Sequence, residues 1–233
     1  GGGAGGGTGM SPWHMMNEWG IPTLYIAALT YNYMHKLASK GQYVPDIILA
    51  GGFAFEDDIF KAFALGAPYV KAVGMARSPL CAAHVGKLVA EQINKNAVDK
   101  TIEPYGKTID EVFVLAARAK RLFGASGKEV PLGAIGVYSY YQRLSQGLRQ
   151  LMCGSRKFAL EHLTRNDIVT LTRDAAEVTG IRYIMDADSE EVEQILTGKK
   201  KTTKAKAVVK ATPKPKPKLK PKITPKPKAR AKG

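Results

Sequence analysis

The sequence predicts an α/β fold in which parallel strand and helix units are followed by a helical extension and a disordered basic tail. Three observations carry this. Two short apolar runs, "VPDIILAGG" (44–52) and "PYVKAVGMA" (68–76), hold or end in glycine, as strands buried on both faces of a parallel sheet do. A helix-patterned segment follows each run, so strand, Gly loop and helix alternate in the order of βα units. Beyond Gly198 the composition changes abruptly to Lys, Pro and Ala.

The elements follow in order. After a Gly-rich start, "GGGAGGGTGM", residues Pro22 to Lys40 carry Leu24, Ala27, Ala28, Tyr31 and Met34 at helical spacing, and Gly41 is placed to cap the helix. The first strand ends at Gly51-Gly52. Glu56, Asp57 and Asp58 then open a helix that Gly66 stops; the positive end of the helix dipole explains these acids more simply than a carboxylate site does. The second strand ends at Gly74, and a helix is expected from about Pro79 to Asn94. Thr108 to Gly124 is patterned as one amphipathic helix with a Thr cap and early acids. Further helices are expected around 138–162 and 189–196. The organisation expected is 1–95 as βα units, 96–198 as helical extension, and 199–233 as tail.

The chain has 233 residues, 45% of them apolar, enough for a sizeable core. Its net charge of +15 is local: residues 199–233 hold 15 Lys and Arg and no acid, leaving 20 basic and 20 acidic residues before them. Such a tail has no core to offset the entropy of ordering. It is expected to be disordered with polyproline II character, and reads either as a contact for polyanions or nucleic acid through salt-sensitive phosphate neutralisation or as a solubilising or tethering appendage. It resembles the Lys/Ala/Pro tails of linker-histone-like proteins, and with no interleaved aromatics it does not indicate base stacking. Only Cys81 and Cys153 are present, which suggests no disulfide framework and a reduced, cytoplasmic setting. No His or acid pair has metal-ligand spacing, so no metal is expected. No apolar run approaches the ~20 residues of a membrane span, so no membrane partner is expected.

The candidate site lies in the loops at the strand ends. Gly51-Gly52 and Gly74-Met75-Ala76-Arg77 are two such loops, one helix apart. Glycine lets backbone N–H groups approach a phosphate, a following helix N-terminus adds its dipole, and Arg77 adds charge. In a (β/α)8 barrel the loops after the last strands commonly hold a phosphate. Among the remaining candidates, His14 is a weak catalytic one, while His35 and His84 read as packing or surface residues. Cys81 reads as a structural thiol. Trp13, Trp19 and Tyr25 read as core packing or as paving for a ligand pocket.

"GGGTGMSP" and "AGGFAFEDDIFKAFALGAPYVKAVGMA" resemble the final units of the FMN-binding (β/α)8 domain of glutamate synthases, and 96–198 is similar to the C-terminal extension of a short, FMN-binding group of that family. The resemblance implies that the chain is the C-terminal portion of a TIM barrel whose earlier strands are absent from it, and that by itself it is marginal in solution. It implies FMN, with Gly6, Gly7, Thr8 and Gly9 beside the flavin and substrate, and Gly51, Gly52, Gly74, Met75, Ala76 and Arg77 at its phosphate. The implied reaction reduces 2-iminoglutarate, from 2-oxoglutarate and ammonia, to L-glutamate, with electron-donor and ammonia-supplying partners. Asn17 stands where the family has a Lys, Ala50 where an acid often precedes the two glycines, and Cys81 alone where a cysteine cluster holds iron and sulfur. An inosine monophosphate dehydrogenase-like barrel is the alternative within enzymes.

Overall fold

The computed structural model describes His14, residues 20–124 and residues 129–198, all inside the unit Gly1–Lys201. The Gly stretch, Asn17, Trp13, Trp19 and the tail, with the expectations placed on them, lie outside the described residues. What is described is a mostly helical α/β arrangement with a small parallel sheet.

Helix α1 runs Thr23–Ser39, β1 Ile47–Ala50, α2 Glu56–Gly66, β2 Val70–Gly74 and α3 Arg77–Asn94. Beyond these come α4 Ile109–Val112, α5 Ala116–Phe123, α6 Leu132–Gly154, α7 Arg173–Thr179 and α8 Ser189–Thr197, with short 3-10 turns between them. The strands β1 and β2 pair in parallel, Ile47 with Val70 and Ala50 with Gly74, with an irregularity after Ile47. The unit β1–α2–β2 is thus the strand–helix–strand crossover that the alternation of the sequence implies.

Helix α2 sits at the centre. Seven of its eleven residues are buried, from Ile59 to Gly66 except Lys61, as befits a helix that is apolar nearly all round. Phe60, Phe63 and Leu65 pack with Leu49 and Val70 of the sheet, Ala27 of α1, Leu144 and Met152 of α6, and Leu163 and Ile181 further on. The acids at its start do what the dipole asks. Asp58 accepts the N–H groups of Ala54 and Phe55, both at 3.1 Å, and Asp57 pairs with Lys61 at 2.7 Å. The Lys61 bond holds the Asp57 carboxyl below its ordinary value.

Helices α3 and α6 cross closely, and the crossing is lined by small residues. A Cβ on Gly86 would stand 2.7 Å from the Cα of Gly136, and one on Gly133 would stand 3.0 Å from the carbonyl oxygen of Ala83. The half-buried guanidinium of Arg165 donates to the carbonyls of Leu65 (2.6 Å) and Thr179, and lies 3.8 Å from the centre of the Tyr31 ring. Tyr31 stacks on His35, whose Nδ1 is 3.3 Å from the Tyr69 hydroxyl.

Four expectations are corrected. The strands are not buried on both faces: Leu49 is buried, but Ile48 is 67% exposed, because the described elements cover one face of the sheet only. Thr108 to Gly124 is two helices, not one. The Thr108 cap and Glu111 close a capping box at its start, with the Lys107 and Thr108 N–H groups holding the Glu111 carboxyl below its ordinary value. At Phe113 the backbone then leaves the helix (φ −103°, ψ 82°), in the run Val112-Phe113-Val114 of poor helix formers. The helix expected at 138–162 spans 132–154: Pro131 starts it and Gly154 ends it, and the positive φ of Arg156 turns the chain away. Helix α3 begins at Arg77, not Pro79, so Arg77 is a helix residue rather than a loop residue.

Candidate functional site

The parallel register puts the ends of the two strands side by side. Ala50 pairs with Gly74, so the chain leaves β1 through Gly51-Gly52 next to the point where it leaves β2 through Met75-Ala76. Gly51 and Gly52 have φ of 124° and 78°, a region that L side chains rarely occupy and that turns the backbone outward. A Cβ on Gly52 would meet only the Thr23 hydroxyl, at 3.9 Å, so this backbone borders open space. A Cβ on Gly74 would stand 3.1 Å from that of Ala50, which is why a strand end this near its neighbour carries glycine.

Both loops are braced. Thr23 donates its hydroxyl to the Gly51 carbonyl at 2.7 Å, and Ser78 donates to the Phe53 carbonyl at 2.8 Å, bridging the second loop to the first. Helix α3 follows the second loop directly and has no side-chain cap. The first turn of a helix leaves backbone N–H groups without partners inside the helix, and Pro79 in this turn has none to donate. Arg77, exposed, is its first residue, and Met75 packs against the core. A cavity of about 530 Å³ is lined by Gly51, Gly52, Leu49 and Asp58, and by Ile168 and Ile181 from later in the chain. It does not reach Gly74 to Arg77.

The family described as the conserved region in glutamate synthase matches residues 2–90. This stretch is similar to the conserved region of glutamate synthases. No curated protein and no solved structure matches the chain. The matched stretch covers α1, β1, α2, β2 and most of α3, including both glycine loops, and ends before the long helix α6 that packs across α2 and α3.

Of the residues expected at the site, the fold brings Gly51, Gly52, Gly74, Met75, Ala76 and Arg77 to one end of the sheet. Gly6, Gly7, Thr8 and Gly9 lie outside the described residues. His14 is exposed. His35 belongs to the cluster of Tyr31, Tyr69 and Arg165, and His84 and Cys81 lie on α3, Cys81 exposed. Tyr25 is 46% exposed, so it is not a core residue. Among the described residues no group of three His, Cys, Asp or Glu is placed to hold a metal, and no helix is long and apolar enough to cross a membrane.

Three side chains at this end of the sheet escape sequence reading: Thr23, Ser78 and Tyr140. Ser78 has a local signal, a hydroxyl in the first turn of a helix after a glycine loop. Tyr140 has none. Its hydroxyl donates to the Ala54 carbonyl, 86 positions away in the chain, at 2.6 Å, beside the hydroxyl of Ser78. Burial pushes the Tyr140 phenol above its ordinary value, so at neutral pH it keeps the proton it donates.

Proposed function

We propose that residues 51–52 and 74–77 bind the phosphate of FMN in an oxidoreductase of glutamate synthase type. The observation that supports this is the pairing of Ala50 with Gly74, which sets two glycine loops and an uncapped helix N-terminus side by side. The residues suit the group. Outward-turned glycine backbone and the first turn of α3 offer N–H donors to a dianion, and Arg77 brings charge to the same end. FMN, when bound, supplies two-electron chemistry. The chain's part is to fix the phosphate and so aim the ring.

The reaction proposed is reduction of 2-iminoglutarate, formed from 2-oxoglutarate and ammonia, to L-glutamate, with electrons and ammonia supplied by partner subunits in the cytoplasm. Gly6, Gly7, Thr8 and Gly9 would stand beside the ring and substrate, and His14 is the proton donor to test first. The expected result is that the purified chain carries, or takes up, about one FMN, identified by its visible absorption and by chromatography of the heat-released cofactor. A colourless protein that takes up no FMN would reduce both loops to structural turns.

The segregated charge of residues 199–233 supports a second, separate role in polyanion contact. Residues 1–233 should shift a random duplex in a gel at low salt, and residues 1–198 should not; equal behaviour of the two removes the tail from the explanation.

A further inference from the structure

Helix α6 lies wholly outside the matched stretch at residues 2–90, yet it reaches the glycine loops. The half-buried Tyr140 donates its hydroxyl to the carbonyl of Ala54, two residues after Gly52, beside the hydroxyl of Ser78, one residue after Arg77. Ser78 in turn donates to the Phe53 carbonyl at 2.8 Å. The phenol is therefore anchored at the exit of the first loop, beside the Ser78 hydroxyl that ties the second loop to the first.

The ring is held in place independently of its hydroxyl. It packs on the core, and it meets Tyr141 edge to face at 5.6 Å between centroids. The helix that carries it is itself fixed against α3 at the Gly86–Gly136 contact. The donor is thus delivered to Ala54, beside Ser78, from a rigid element.

We propose that Tyr140 is a positioning residue for phosphate recognition, setting the separation of the Gly51-Gly52 and Gly74–Arg77 loops so that their N–H groups converge on one phosphate. The proposal rests on the flavin reading above. It makes α6 a working part of the site rather than a covering of the core.

The test is Tyr140→Phe in the full chain, which removes one oxygen and keeps the ring. FMN and riboflavin, which lacks the phosphate, are titrated by fluorescence into wild type and variant, and amide hydrogen exchange is followed in both without ligand. The expected result is a loss of FMN affinity of about three- to tenfold, the size of one hydrogen bond, with riboflavin affinity unchanged and faster exchange confined to residues 51–55 and 75–78. Tyr141→Phe, on the exposed neighbour, should match wild type. Equal FMN affinity in wild type and Tyr140→Phe would overturn the positioning role and leave the flavin reading standing. Loss of FMN and riboflavin together, with exchange faster throughout α6, would overturn it in favour of a purely structural tyrosine. Wild type that binds neither ligand would end the flavin reading, and the positioning role with it.

Discussion

Arg165→Ala is expected to lower the stability of the folded chain by about 3 kcal/mol, because it removes two charge-assisted hydrogen bonds and a cation–π interaction at once. The guanidinium holds three elements: the Leu65 carbonyl in the last turn of α2, the Thr179 carbonyl at the end of α7, and the Tyr31 ring on α1. The Leu65 carbonyl is in the stretch where a helix runs out of internal partners, so truncating Arg165 strips a donor from it in a buried place. Burial draws the guanidinium below its ordinary pKa, but arginine stays charged throughout the working range. Lysine cannot replace the fork. One ammonium reaches one carbonyl and does not stack flat on Tyr31, so Arg165→Lys should recover less than half of the stability. Urea unfolding of the full chain followed by circular dichroism reads this out. A midpoint equal to wild type for Arg165→Ala would mean that the three interactions contribute nothing net.

The second large effect is at the crossing of α3 and α6. A Cβ on Gly136 would press on the Ala82 carbonyl and stand 2.9 Å from the Cα of Gly86. Both are backbone atoms of the facing helix, so no side-chain rotation relieves the overlap and the helices must separate. Gly136→Ala is expected to cost about 2 kcal/mol and Gly136→Val more than about 3 kcal/mol, within and beyond the usual range for overpacked cores. Gly154, at the end of the same helix, has open space around the position a Cβ would take, with nothing within 4 Å. There the gain in helix propensity acts alone, and Gly154→Ala should stabilise by about 0.5 kcal/mol. Thermal unfolding of the three variants checks the contrast, and three similar melting curves would refute the close-crossing account.

These two places also separate what the sequence makes legible from what it hides. Helix α2 is readable end to end, because three acids, an apolar middle and Gly66 all point the same way. The two glycine loops are readable for the same reason, each lying where an apolar run stops. Gly133 and Gly136 mislead, since glycine inside a segment reads as a breaker. Here both permit close backbone approach, and the helix runs through them from Leu132. The break at Phe113 is hidden because the Thr108 cap and the charged residues after it satisfy a helical pattern on both sides. The one-sided exposure of β1 is hidden too, since Ile48 differs in no way from Ile47 until the neighbours of the sheet are known. The bonds of Arg165 to Leu65 and of Tyr140 to Ala54 are beyond the reach of any local rule, the carbonyls lying 100 and 86 positions away.

Moved into another protein, residues 2–90 would not travel well alone. A cut at Ala90 falls inside α3, at a residue only 1% exposed. It also leaves behind Leu144, Met152, Leu163 and Ile181, which complete the enclosure of α2 from later in the chain. Such a graft would carry both glycine loops into its new host and put the apolar side of α2 in water. A block that keeps α2 enclosed therefore runs at least to Ile181, and the matched stretch depends on the helices that follow it.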